Sequence, residues 1–185
     1  MRITKIAISA AIFGSLLLGG APAYAAAPST PAGGSVRFFV MPNGTGGGPI
    51  VITGAIGDYG HTLDINKNGT PDPNSGHYVK ITLQRGTFEV NKTALDAKSS
   101  KVQPAFDLST CSAAITATAP ITLFDGTGLY AGIAGTLTAT VIDGFILPRL
   151  TSGKSKGQCN ESNNAQPVSE YAVVTGTGTV SFTVM

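Results

Sequence analysis

Charge is scarce in this chain. Asp, Glu, Lys and Arg make up only 12% of its 185 residues, and Lys and Arg form no cluster. A nucleic-acid or anionic-membrane surface needs a basic patch or stripe, so both kinds of partner are excluded on electrostatic grounds. Histidine is nearly absent too, with His61 and His77 alone. No H-E-x-x-H, C-x-x-C or phosphate-binding loop occurs, and no G-x-S-x-G elbow presents a serine nucleophile. The hydrolase and metalloenzyme classes therefore lack their ligand sets, and the sequence names no catalytic residue. Long helical patterns are also missing, and without strand–helix alternation a parallel α/β sheet is excluded.

The longest apolar run lies at the start. Arg2 and Lys5 precede Ile6 to Leu18, which is followed by Gly19, Gly20, Pro22 and Ala23-Tyr24-Ala25. This is the basic, apolar and A-x-A order of a cleavable signal peptide, assigned to residues 1–25. The competing reading, a retained anchor, needs roughly 20 consecutive apolar residues, more than this run offers. Removing Arg2 and Lys5 leaves 10 basic and 10 acidic residues, a formally neutral product. The expected location is extracellular, with no membrane span after processing. Residues 26–34, small and rich in Pro and Gly, read as a flexible lead, and residues 35–185 as a single domain.

What remains is rich in Gly, Thr and β-branched residues, which suit pleated surfaces and turns rather than helices. Strands are expected over Val36–Val40, Ile50–Tyr59, His77–Leu83, Thr87–Val90, Ser112–Ala119, Ile121–Phe124, Thr136–Ile142 and Val168–Val184. In Thr136–Val141 and Thr177–Val184 the alternation is strict, so Leu137, Ala139 and Val141 should share a face opposite Thr136, Thr138 and Thr140. Thr93–Lys98 is the one helical segment, with Thr93 as its N-cap and Leu95 as its apolar anchor. Gly144–Pro167 reads as a long loop. Many short strands between turn signals predict an all-β sandwich or barrel.

Three groups of residues bear on chemistry. Cys111 and Cys159 are the only cysteines, and an even count in an exported chain favours a disulfide that pins the long loop. Asp64-Ile65-Asn66-Lys67-Asn68-Gly69-Thr70-Pro71-Asp72 resembles the calcium loops of EF-hand, dockerin and thrombospondin-type modules. In that pattern Asp64, Asn66, Asn68 and Asp72, with the carbonyl of Thr70, would surround the ion. Position 12 departs from the pattern, since Ser75 stands where a bidentate acid is expected. Any calcium site is thus weak, and the competing reading is a plain turn built on Asn68-Gly69. No other cofactor is implied. Asp58, Tyr59 and His61, with Arg149, Asp143 or Glu89, are candidate polar pocket residues, although Asp58-Tyr59-Gly60 also reads as a turn.

Phe124-Asp125-Gly126-Thr127-Gly128-Leu129-Tyr130-Ala131-Gly132-Ile133-Ala134-Gly135-Thr136 is similar to the G-T-G-x-[YF]-x-G-x-x-G stretch of dirigent proteins and the related allene oxide cyclase barrel. The late Val174–Phe182 segment also suits that family's closing strand. The resemblance implies an antiparallel eight-stranded β-barrel with a central cavity, in which Tyr130 and Ile133 plug one end. It further implies a secreted dirigent-like protein that binds or steers a small apolar molecule without a cofactor. The alternative function is a non-catalytic structural or adhesive extracellular β-domain. A cavity inside the barrel separates the two, because a packed interior would leave only the surface to act. Nothing in the sequence assigns an oligomeric state.

Overall fold

The computed structural model describes residues 32–183 apart from positions 45, 75 and 163. The segments expected to form a signal peptide (1–25) and most of a flexible lead (26–34) lie outside the described residues. Eight strands run in chain order: β1 (Gly34–Val40), β2 (Gly47–Gly54), β3 (Asp58–Ile65), β4 (Tyr78–Leu83), β5 (Gly86–Asn91), β6 (Ser112–Phe124), β7 (Ile133–Ile146) and β8 (Ser169–Phe182). Each pairs antiparallel with the next, and β8 returns to β1 through Phe38↔Gly176 and its neighbours, so the sheet closes into a barrel. Among the described residues no helix is long and apolar enough to cross a membrane.

Alternation turns this topology into a core. Leu137 and Ala139 are buried in the barrel interior with Val141 packed beside them, while Thr136, Thr138 and Thr140 occupy the opposite parity. The interior is therefore aliphatic, and the threonines line the outside, where Thr118 and Thr140 join hydroxyls across β6 and β7 at 2.9 Å. The glycine-rich segment behaves as expected. Ile121↔Leu137, Thr122↔Thr136 and Leu123↔Gly135 pair the strands on either side of it, and Tyr130 and Ile133 are buried at one end.

Four boundaries differ from expectation. Ile50–Tyr59 is two strands rather than one. Gly54 (φ 82°) and Gly57 (φ 54°) occupy left-handed backbone that other residues rarely adopt, and they fold the chain back between β2 and β3. Alternation continues across that turn, which hides it from a pattern reading. Asp58-Tyr59-Gly60 is consequently strand and not turn. Ser112–Ala119 and Ile121–Phe124 are one continuous strand. Pro120 is tolerated because β5 pairs with β6 only over Thr122–Phe124, leaving Pro120 a single ladder neighbour. The helix α1 (Thr93–Ser99) starts after Lys92, not Thr93. Lys92 is the N-cap and makes no side-chain cap hydrogen bond, while the Asn91 side chain before it accepts from the Thr93 amide at 3.0 Å.

β6, β7 and β8 are 13 or 14 residues long, about twice the length of β1, and their far ends continue beyond the strands that complete the barrel. α1 lies against β6 there and buries Leu95 in the main core. The long loop after β7 leaves from Leu147. It is held by the bridge Arg149↔Cys159 and by Cys111 and Cys159, whose sulfurs lie at disulfide distance, 2.10 Å.

Candidate functional site

The inward side chains do not fill the barrel. They enclose a cavity of about 690 Å³, walled by aliphatic residues such as Val36, Ile50, Ile81, Ile121 and Leu137, with Phe38 and Phe88 the aromatic members. Closely spaced side chains leave this space because several inward positions are small. Ala139 is one; at Gly176, by contrast, the space a side chain would take is filled by the Phe38 ring. The two ends of the cavity differ in chemistry.

The closed end is a floor. Tyr130, fully buried, stacks edge-on against Phe88 with ring centroids 5.7 Å apart. Its hydroxyl donates to Asp58 Oδ2 at 2.5 Å. Arg85 adds its backbone amide at 3.1 Å and its Nε at 3.4 Å to the same oxygen, and the Tyr59 amide donates to Oδ1 at 2.8 Å. The guanidinium also ties down the carbonyls of Ile56 and Gly57 in the β2–β3 turn. Burial pushes the Asp58 carboxyl up, but hydrogen bonds from Tyr130, Tyr59 and Arg85 outweigh it and hold the group below its ordinary value. Burial and the Asp58 hydrogen bond together push the Tyr130 hydroxyl up to about 12.

The open end is a charged mouth. Lys92, between β5 and α1, reaches both carboxylate oxygens of Asp96 in α1 at 3.2 Å and lies 3.9 Å from Asp64 Oδ2. His77 Nδ1 meets the same Asp96 at 2.8 Å. Burial raises the Asp64 carboxyl; Lys92 opposes the shift, while Asp96 and Asp72 add to it. Across the mouth stand Asp143 of β7 and Glu170 of β8. They share the inner face, since Asp143 pairs with Ala172 and Glu170 with Phe145. Asp143 Oδ1 is buried without a hydrogen-bond partner, and its carboxyl is raised by burial and then by Glu170.

The candidate pocket set is not assembled. Asp58 belongs to the floor, whereas Tyr59 is 60% exposed and His61 also lies outside, because both have the opposite parity on β3. Arg149 donates to the carbonyls of Gly157 and Ser109 and secures the long loop away from the cavity. Glu89 sits on the opposite parity from the buried Phe88 and Val90. Asp143 does face the cavity. Lys92, Asp96 and Glu170 were missed, although Glu170 shares the parity of the inward Val174, a signal present in the sequence.

The Asp64–Asp72 segment connects β3 toward β4. Asn66 Oδ1 accepts from the amides of Asn68 and Thr70 at 3.1 and 3.2 Å, and Asn68 Oδ1 accepts from the Thr70 hydroxyl at 2.6 Å. The Thr70 carbonyl accepts from the Asn66 amide at 2.9 Å. Gly69 has φ 81° but Asn68 does not have positive φ, so the turn is not type I′. Among the described residues no three His, Cys, Asp or Glu side chains are grouped to hold a metal ion.

Fold and site together define a closed eight-stranded antiparallel barrel around an apolar cavity, sealed at one end and charged at the other. No protein-family model, curated protein or solved structure matches the chain.

Proposed function

We propose that this protein is a secreted, dirigent-like barrel whose cavity binds or steers a small apolar molecule. One observation carries the reading: a volume of about 690 Å³, open at the charged mouth and walled mainly by aliphatic side chains, where a structural barrel would be packed with side chains. Ligand pockets typically fall between about 300 and 1,000 Å³ and combine apolar walls with a few polar groups. Packed interiors hold few voids larger than a water molecule, so a space of this size is not ordinary packing slack. Export is supported by the N-terminal signal pattern and by the Cys111–Cys159 pair, since disulfides persist in oxidising compartments. The glycine-rich turn around Tyr130 and the barrel closure support the family likeness. No residue is assigned a catalytic role.

The test is titration of a neutral apolar fluorophore into the wild-type protein and two wall variants, Ala139→Phe and Val174→Phe. Both positions line the cavity, and an added ring takes up space without adding charge. The wild type is expected to bind one equivalent, and both variants, checked for folding by circular dichroism, to bind at least about tenfold more weakly. Absence of saturable binding to wild type would hand the function to the structural or adhesive alternative.

A further inference from the structure

The charges at the mouth are unevenly matched, and this bears on what enters. Four acids, Asp64, Asp96, Asp143 and Glu170, line the cavity against one base, Lys92. That base is already engaged by Asp96 and Asp64 on its own side of the mouth. On the far wall, Asp143 and Glu170 make no ion pair among the described residues. The buried Oδ1 of Asp143 also has no donor. A buried polar atom without a partner costs free energy that a suitable donor restores, and a low-dielectric apolar wall strengthens its attraction for a cation.

We infer that the ligand of this cavity is a cationic amphiphile: an apolar body that occupies the aliphatic interior and a primary ammonium head held at the mouth between Asp143 and Glu170. The inference rests on the cavity-binding reading and narrows it. An ammonium group brings three donors and a positive charge, which suits a carboxylate pair lacking both. A fatty carboxylate would place a third negative charge beside that pair, while Lys92 is held on the other side. Global attraction does not substitute for this local match, because residues 26–185 carry equal numbers of acidic and basic side chains.

The experiment compares three probes of equal chain length by calorimetry at neutral pH and low salt, below their micellar concentrations: dodecylammonium, dodecanol and dodecanoate. The ratio of dissociation constants is the readout. Dodecylammonium is expected to bind at least about tenfold more tightly than dodecanol, with dodecanoate weakest, and added sodium chloride should shrink the difference. Glu170→Gln and Asp143→Asn, singly and together, keep side-chain shape and should bring the ammonium-to-alcohol ratio toward one. Equal binding of all three probes, or a ratio unmoved in the double variant, overturns the head-group assignment while leaving the cavity reading intact. Failure of every probe to bind defeats the cavity reading and this inference with it.

Discussion

Replacing Tyr130 by Phe tests the floor of the barrel with the removal of one oxygen. The ring stays, so its edge contact with Phe88 at 5.7 Å is kept and no sizeable hole opens. What disappears is the 2.5 Å hydrogen bond to Asp58, a carboxylate whose side chain is only 4% exposed. Hydrogen bonds to a charged group contribute about 1.5–3 kcal/mol, and those to a neutral one about 0.5–1.5 kcal/mol. The expected loss at pH 7 is therefore about 2 kcal/mol, which for a domain of this length lowers Tm by about 4–8 °C.

The pH dependence identifies the cause. Asp58 has a depressed folded-state value, so its ionised form stabilises the fold above the unfolded carboxyl pKa of about 3.9, and that contribution is lost as pH falls through the folded value. Without the Tyr130 hydroxyl, fewer donors oppose burial and the carboxyl rises. The gap between wild type and variant should thus be full at neutral pH and shrink to about 1 kcal/mol in strong acid, where Asp58 is neutral in both. Urea titrations of both proteins at neutral and acidic pH, with the disulfide intact, measure it. A gap below about 0.5 kcal/mol at neutral pH, or one that does not change with acid, would refute the role given to this bond.

Two further outcomes follow from the loops. Cys111 and Cys159 are separated by 48 residues, and on the chain-entropy account their bridge contributes about 4 kcal/mol; Cys111→Ala with Cys159→Ala should lose a comparable amount in urea melts, and alkylation of both cysteines in non-reduced protein would contradict the bridge. Calcium should bind the Asp64–Asp72 loop no more tightly than about 10⁻⁴ M, the range of weak extracellular modules. A micromolar Kd by calorimetry, abolished in Asp72→Ala, would contradict this and show that the asparagine side chains leave their amide partners for the ion.

Much of the barrel is legible in the sequence because its strands obey a period of two. Thr136–Val141 carries its inner and outer faces in plain alternation, and the glycines between Phe124 and Thr136 announce the hairpin that joins β6 to β7. The β2–β3 turn is hidden for the opposite reason, since Gly54, Gly57 and the residues around them keep the alternation while reversing the chain. Site residues were harder. Asp58 and His61 are three apart, so on one strand they must face opposite sides, but that deduction requires knowing that residue 58 is strand. Asp143 and Glu170 meet only through the β7–β8 register, which depends on a long loop whose length carries no register information. Lys92 and Asp96 form an i,i+4 pair whose place at the mouth follows from α1 lying against β6, a tertiary fact.

The contrast between the two ends of the barrel separates structure from candidate function. Both ends place an aspartate on the inner face of a strand, Asp58 on β3 and Asp143 on β7. At the floor, Asp58 accepts from Tyr130, Tyr59 and Arg85, and its charge is stabilised within the folded chain. Such an acid needs nothing from outside, and the network around it closes the end and fixes the β2–β3 turn. At the mouth, Asp143 has one oxygen buried without a donor and an acid, Glu170, for its electrostatic neighbour. The chain thus satisfies a buried carboxylate where the barrel is shut and leaves a buried oxygen of a half-buried one without a donor where it is open. Selection for stability alone favours removing the second group, since an apolar side chain at that position would end the penalty. With the proposed ammonium ligand seated, Asp143 would gain the donor that the described residues do not supply.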